Sequence, residues 1–138
     1  GILVAKVIYV KHGDGKNFVI IDAAMNDLIR PTLYEAHHDI LPVTQPAKGA
    51  ATIVADVVGP VCETGDYLAL DREMSMPKPG DLISVGSAGA YGAVQAGTYN
   101  TRRLIPEVLV KGSEFHVIRK RPSYEELIGL DSVPDWLD

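Results

Sequence analysis

The chain has 138 residues, 46% of them hydrophobic and 22% charged, with 13 glycines, 9 prolines and a formal net charge of −5. That length fits one ordinary domain able to bury most of its apolar surface, and an acidic balance without a basic stripe argues against phosphate-backbone binding, so no nucleic-acid partner is expected. The turn-rich, apolar composition sets aside a disordered or coiled-coil chain, and no apolar run reaches the roughly 18 to 20 residues that cross a bilayer, so no membrane partner is expected either.

From the start of the chain, Ile2 to Val10 is apolar and β-branched and leads through His12-Gly13-Asp14-Gly15 into Phe18 to Asp22. The glycines permit positive φ, so this stretch predicts a hairpin. Asn26 to Ile29 predicts one helical turn, after which Pro31 pushes Arg30 toward extended geometry, so that Arg30 projects from a break. Thr44 to Gly49 reads as a loop. Strands follow over Ala51 to Val58, Tyr67 to Leu70, Leu82 to Val85, Glu107 to Val110 and Phe115 to Arg119, with Pro77, Pro79, Gly80 and Asp81 turning the chain before Leu82 and Gly112-Ser113 before Phe115. Ser123-Tyr124-Glu125-Glu126 fits a capping box that opens a short helix ending at Gly129. Asp131 to Asp138 reads as a tail. Short strands without long intervening helices imply a mainly β, mostly antiparallel barrel or sandwich, taken as a single domain over residues 1–138.

The chain enters a strand at once, without an initial methionine, as an excised piece of a longer protein would. Lys6 interrupts the first apolar run and no basic leader precedes it, so no signal peptide is expected. Cys62 is the only cysteine and cannot form an internal disulfide, which makes a cytoplasmic location the expectation.

Cys62 and Glu63 end a valine-rich run broken by Gly59 and Pro60, and Arg30, Tyr34 and Tyr91 also lie just beyond apolar runs, each in a turn marked by Gly or Pro. One face can therefore collect all five side chains, as a site for a small zwitterion. A thiol at its ordinary pKa of about 8.5 stays protonated at neutral pH and can give up a proton, and a guanidinium fork suits a carboxylate. Tyr34, four residues after Arg30, shares its side if that turn is helical. Free cysteines are also commonly buried and inert, and an arginine is as often a surface ion-pair partner.

Gly86-Ser87-Ala88-Gly89-Ala90-Tyr91-Gly92 has Tyr91 as its one large side chain and matches no phosphate-loop spacing. It reads equally as a surface of close approach or as a packed corner. His37 and His38 face opposite ways on an extended segment, so they are read as solvated or interface residues, and no metal site is expected. Arg102-Arg103 and Arg119-Lys120-Arg121 read as solvated charge or as contacts to a partner.

Met25-Asn26-Asp27-Leu28-Ile29-Arg30-Pro31-Thr32-Leu33-Tyr34, Gly59-Pro60-Val61-Cys62-Glu63-Thr64-Gly65-Asp66 and Ser87-Ala88-Gly89-Ala90-Tyr91-Gly92, followed by Tyr99-Asn100-Thr101-Arg102, come in the order and spacing of one family. The chain resembles the C-terminal β-domain of the diaminopimelate decarboxylase family over nearly its whole length. The resemblance implies a closed or nearly closed, Greek-key-like antiparallel β-barrel with short peripheral helices, preceded in the whole protein by an α/β barrel whose lysine binds pyridoxal 5'-phosphate. It implies decarboxylation of the D-centre of meso-2,6-diaminopimelate to L-lysine and CO2, the last step of lysine biosynthesis, in a homodimer that shares its active site between subunits.

In that scheme Cys62 donates the proton that replaces CO2, Arg30 grips the far carboxylate with Tyr34 in support, Glu63 pairs with the far ammonium, and Tyr91 lies against cofactor and substrate. The 138-residue chain alone is expected to be inactive and to lack a covalent hold on the cofactor. Two other readings stay open. One is the related ornithine or arginine decarboxylase, which typically carries aspartate after the cysteine; the other is a self-contained β-barrel binding module without catalysis.

Overall fold

Leu3, Ala5 and Val7 are buried while Val4 and Lys6 between them are exposed, the period of two that places one face of a strand on a core. That strand, β1 (Leu3–His12), turns through Gly15 at φ +91° into β2 (Asn17–Ile21), and the two pair antiparallel as the hairpin predicted from the glycines. The structure, a computed structural model, describes residues 1–137. After β2 come helix α1 (Arg30–Tyr34), β3 (Ile40–Pro42), β4 (Thr52–Val58), β5 (Tyr67–Ser75), β6 (Leu82–Val85) and helix α2 (Ala90–Gln95). A 3₁₀ turn at Tyr99–Thr101, the hairpin β7 (Glu107–Lys111) and β8 (Glu114–Arg119), and helix α3 (Tyr124–Ile128) follow.

Contacts divide the chain into two compact units, Gly1–Ala96 and Gly97–Asp138. In the first, six strands form one sheet in the order β3-β6-β1-β2-β4-β5. Its two edges approach each other: Arg72 of β5 donates from Nη1 to the His38 carbonyl at 2.9 Å and from Nη2 to His37 Nδ1 at 3.2 Å, just ahead of β3. The sheet is thus a nearly closed barrel, as expected. One ladder departs from the antiparallel expectation, because β2 pairs parallel with β4, Phe18 opposite Asp56 and Val19 opposite Val57. Parallel partners need a long connection. Here it is the excursion through α1 and β3, which carries candidate site residues.

Inside the barrel Val7, Val19, Ile21, Val57, Leu68, Ile83 and Val85 are each no more than 1% exposed. Two elements escape the periodicity. β3 is three residues long and ends in Pro42, an edge position where a missing N–H costs nothing. β5 runs to Ser75, past the predicted end at Leu70, through the polar stretch Asp71-Arg72-Glu73, in which Asp71 and Glu73 are exposed and Arg72 is half-buried. Asp71, at φ +47°, donates its N–H to the buried Asp56 carboxylate at 2.8 Å. Lys16 lies 2.9 Å from that same carboxylate, a hydrogen bond that holds its ammonium above the ordinary lysine pKa.

In the second unit Gly112, at φ +60°, turns β7 into β8. The capping box opens α3 as predicted: Ser123 Oγ accepts from the Glu126 N–H at 3.1 Å, Glu126 Oε2 accepts from the Ser123 N–H at 2.6 Å, and Gly129 caps the end. Arg103 and Arg119 are not simply solvated. The Arg103 guanidinium lies 4.4 Å over the Tyr124 ring, and Arg119 pairs with Glu107. Of the expected tail, residues 131–137 form no helix or strand and Asp138 lies outside the described residues.

Leu68→Ala should destabilise the protein by about 2 to 5 kcal/mol, because the barrel wall cannot collapse onto a vacated leucine site. Leu70→Ala, at a position 50% exposed, should change stability by less than about 0.5 kcal/mol. Urea unfolding of both variants measures the difference.

Candidate functional site

Helix α1 begins one residue earlier than Pro31 allows by local preference. Ile29 is the N-cap at φ −75°, ψ −19°, and Arg30 is the first helical residue, which corrects the extended geometry predicted for it. Proline is tolerated in a first turn because the N–H it lacks would have no partner there. Arg30 and Tyr34 consequently stand four residues apart on one side of a helix. Arg30 is half-buried and Tyr34 is exposed. The helix stops at Glu35, at φ +54°.

The loop Gly59 to Asp66 is organised by its last residue. Asp66 is 3% exposed, and its carboxylate accepts the Met25 N–H on Oδ1 and the Val61 N–H on Oδ2, each at 2.6 Å. Its backbone closes the loop: the Gly59 N–H donates to the Asp66 carbonyl at 2.9 Å and the Asp66 N–H to the Glu63 carbonyl at 3.0 Å. A Cβ on Gly59 would collide with the Asp66 carboxylate, so only glycine fits there. Cys62 and Glu63 are both exposed at the far side of the loop, which rules out the buried, inert reading of the thiol. Glu63 Oε1 accepts from the Thr64 hydroxyl at 3.2 Å.

Thr32, on α1 between Arg30 and Tyr34, donates its hydroxyl to the Gly65 carbonyl, so the arginine helix and the cysteine loop are held together directly. The third segment joins through α2. A Cβ on the buried Gly92 would lie 3.1 Å from Leu28 Cδ1, so this helix packs closely on the approach to α1. Gln95 Nε2 donates to the Tyr34 hydroxyl at 3.2 Å. Tyr91 therefore stands in the first turn of a helix, 70% exposed, and not in the turn predicted for it.

His37 and His38 face opposite ways as predicted, but His38 is 2% exposed, so the solvated or interface reading of it is wrong. Its ring Nδ1 lies 2.9 Å from the Gly86 carbonyl, which replaces water as its partner. Among the described residues no group of His, Cys, Asp and Glu is placed to hold a metal ion. The three converging segments contain Arg30 and no lysine. Their phenols, thiol, guanidinium and carboxylate suit an edge contact to pyridoxal phosphate, not its covalent attachment.

Sequence reasoning missed Asp66, Thr32, Gln95 and His38 as builders of this face. Only Asp66 carried a signal, an aspartate closing a Gly-Pro to Thr-Gly loop immediately before a strand. Asp66→Ala should cost about 2 to 4 kcal/mol in urea unfolding, since it leaves two backbone N–H groups without their acceptor. A loss under about 0.5 kcal/mol would show that the bridge does not hold the loop.

Residues 1–89 match the pyridoxal-dependent decarboxylase C-terminal sheet domain. The chain is 51% identical to the diaminopimelate decarboxylase of Zymomonas mobilis over 137 residues, covering 99% of this chain and 32% of that protein. The Vibrio cholerae enzyme of the same name is 50% identical, over 96% of this chain and 31% of the relative. Among solved structures, diaminopimelate decarboxylase from M. jannaschii superimposes with a TM-score of 0.91 at 35% identity, covering 99% of this chain and 31% of that one. The Helicobacter pylori enzyme, complexed with L-lysine, gives 0.84 at 40% identity over 94% and 31%. An arginine decarboxylase from Paramecium bursaria Chlorella virus, 16% identical with a TM-score of 0.66, shares the fold. The chain spans about a third of the length of the curated relatives it matches. With that match and the three assembled segments, the chain belongs to the family of pyridoxal-dependent decarboxylase C-terminal sheet domains.

Proposed function

We propose that this chain is the C-terminal part of a diaminopimelate decarboxylase, where it supplies the substrate-recognising and proton-donating half of the active site. The supporting observation is the assembly around α1: the exposed Cys62-Glu63 loop is tied through Thr32 to the helix bearing Arg30 and Tyr34, and α2 brings Tyr91. The substrate is meso-2,6-diaminopimelate and the products are L-lysine and CO2. Pyridoxal phosphate, held mainly by the remainder of the protein, supplies the electron sink for loss of CO2.

This chain's residues do the rest. The Arg30 fork binds the carboxylate of the amino-acid centre that does not react, and the Tyr34 hydroxyl, fixed by Gln95, supports it. Glu63 takes the ammonium of the same centre. Tyr91 covers the cofactor and the reacting centre. When the carbon–carbon bond breaks, the carbon takes the proton of the Cys62 thiol, and the thiolate recovers one from solvent. The working form is a cytoplasmic homodimer whose active sites are shared between the two subunits.

A two-headed amino acid offers a second carboxylate, while ornithine and arginine do not. Arg30 therefore favours diaminopimelate over those substrates, because a guanidinium left without its anion in a closed site carries its desolvation cost.

In the full-length enzyme Cys62→Ala should lower kcat by about 100-fold or more while KM moves less than about threefold, since protonation is a chemical step. Unchanged kcat would remove Cys62 from the reaction. Arg30→Ala should instead raise KM for meso-diaminopimelate steeply, measured by release of L-lysine. The 138-residue chain alone should release no CO2 from meso-diaminopimelate.

A further inference from the structure

The barrel seam ends directly under the segment that carries Tyr91. Gly86 follows β6 and is held on both of its backbone groups: its N–H donates to the Asp39 carbonyl at 2.8 Å, and its carbonyl lies 2.9 Å from His38 Nδ1. A carbonyl can only accept, so Nδ1 carries the proton. His38 is itself fixed, since its own carbonyl accepts from Arg72 Nη1 at 2.9 Å across the seam. Its other ring nitrogen, Nε2, is buried and has no hydrogen-bond partner among the described residues. Among the described residues the ring's one hydrogen bond is therefore to the carbonyl of Gly86.

Beyond Gly86 the next backbone hold is the Ala88 N–H, which donates to the Gly1 carbonyl at 3.1 Å. Ser87 sits at φ +54°, Ala88 and Gly89 are small, and the N-cap of α2 at Gly89 makes no side-chain capping bond. Tyr91 is five residues from the His38 bond, on a helix of six residues. We propose that His38 is a positioning residue for the decarboxylation, which acts by anchoring Gly86 and so setting where Tyr91 stands. This rests on the reading of Tyr91 as the residue that covers cofactor and substrate.

The two amide replacements of histidine separate this role from simple packing. Asparagine places its N–H₂ where Nδ1 stands and can keep the bond to Gly86, whereas glutamine places it where Nε2 stands and cannot. In the full-length enzyme, His38→Gln should speed amide hydrogen exchange across residues 86–95 by about tenfold, more than in the rest of the barrel, while His38→Asn leaves exchange near the wild-type rate. His38→Gln should also lower kcat/KM by about tenfold, because small displacements of a contact residue cost rate steeply. Added to Tyr91→Phe it should lower kcat/KM little further, since both changes act through one side chain.

Equal exchange in His38→Gln and His38→Asn, or effects of His38→Gln and Tyr91→Phe that multiply, would overturn the inference. Absence of decarboxylase activity in the wild-type enzyme would instead sink the functional reading, and the exchange measurement would still decide the anchoring.

Discussion

The carboxylate of Asp66 is the constraint on which the site depends. Its two oxygens take the Met25 N–H, 41 residues away, and the Val61 N–H, 5 residues away, each at 2.6 Å. Bonds to an ionised acceptor are roughly twice as strong as neutral ones, and Asp66 is buried, so water does not compete. One side chain thus fixes the approach to α1 and the base of the cysteine loop relative to each other. Gly59 is the sequence's concession to it, since no side chain fits beside that carboxylate. With the base so held, Cys62 and Glu63 can remain exposed without the loop losing its shape.

A second chain of contacts runs from barrel closure to the same face. Arg72 joins the two edges of the sheet, His38 receives it through its backbone and passes the restraint through its ring to Gly86, and Gly86 opens the segment leading to α2. An open sheet leaves edges that can slip or pair wrongly. Closing this one by side chains at β5 and just ahead of β3 uses residues that also lie next to the site. Stability of the barrel and geometry of the face are then one problem, because both require the seam to stay shut.

What was legible in the sequence follows from how local each cause is. Alternation in Leu3 to Val7, the glycines of the first hairpin and the reciprocal bonds of Ser123 and Glu126 act over a few residues, and each element formed where it was expected. Cys62 beside Glu63, and the spacing of Arg30 and Tyr34, were likewise visible as residue types. The parallel pairing of β2 with β4 was not, since it depends on where a 30-residue excursion returns, not on any property of either strand. Pro31 misled because its local preference was outweighed by its place in a first helical turn. His38 misled because a histidine carries no mark of burial; only the position of the Gly86 carbonyl decides it.

The exposure of the face bears on how it can discriminate between substrates. Tyr34 is 59% exposed, Tyr91 is 70% exposed, and Cys62 and Glu63 are open to solvent. A guanidinium and a carboxylate meeting in water gain only about 0 to 1 kcal/mol, too little to separate a two-headed amino acid from one that lacks the second carboxylate. The same pair in a covered site gains more, and the penalty for an unmatched charge rises with it. Selectivity by Arg30 and Glu63 therefore requires a second surface to exclude water from them. In the proposed enzyme that surface is the remainder of the protein, which would also bring the cofactor. Recognition and catalysis would then be completed by the same closure, and neither would be available to this chain by itself.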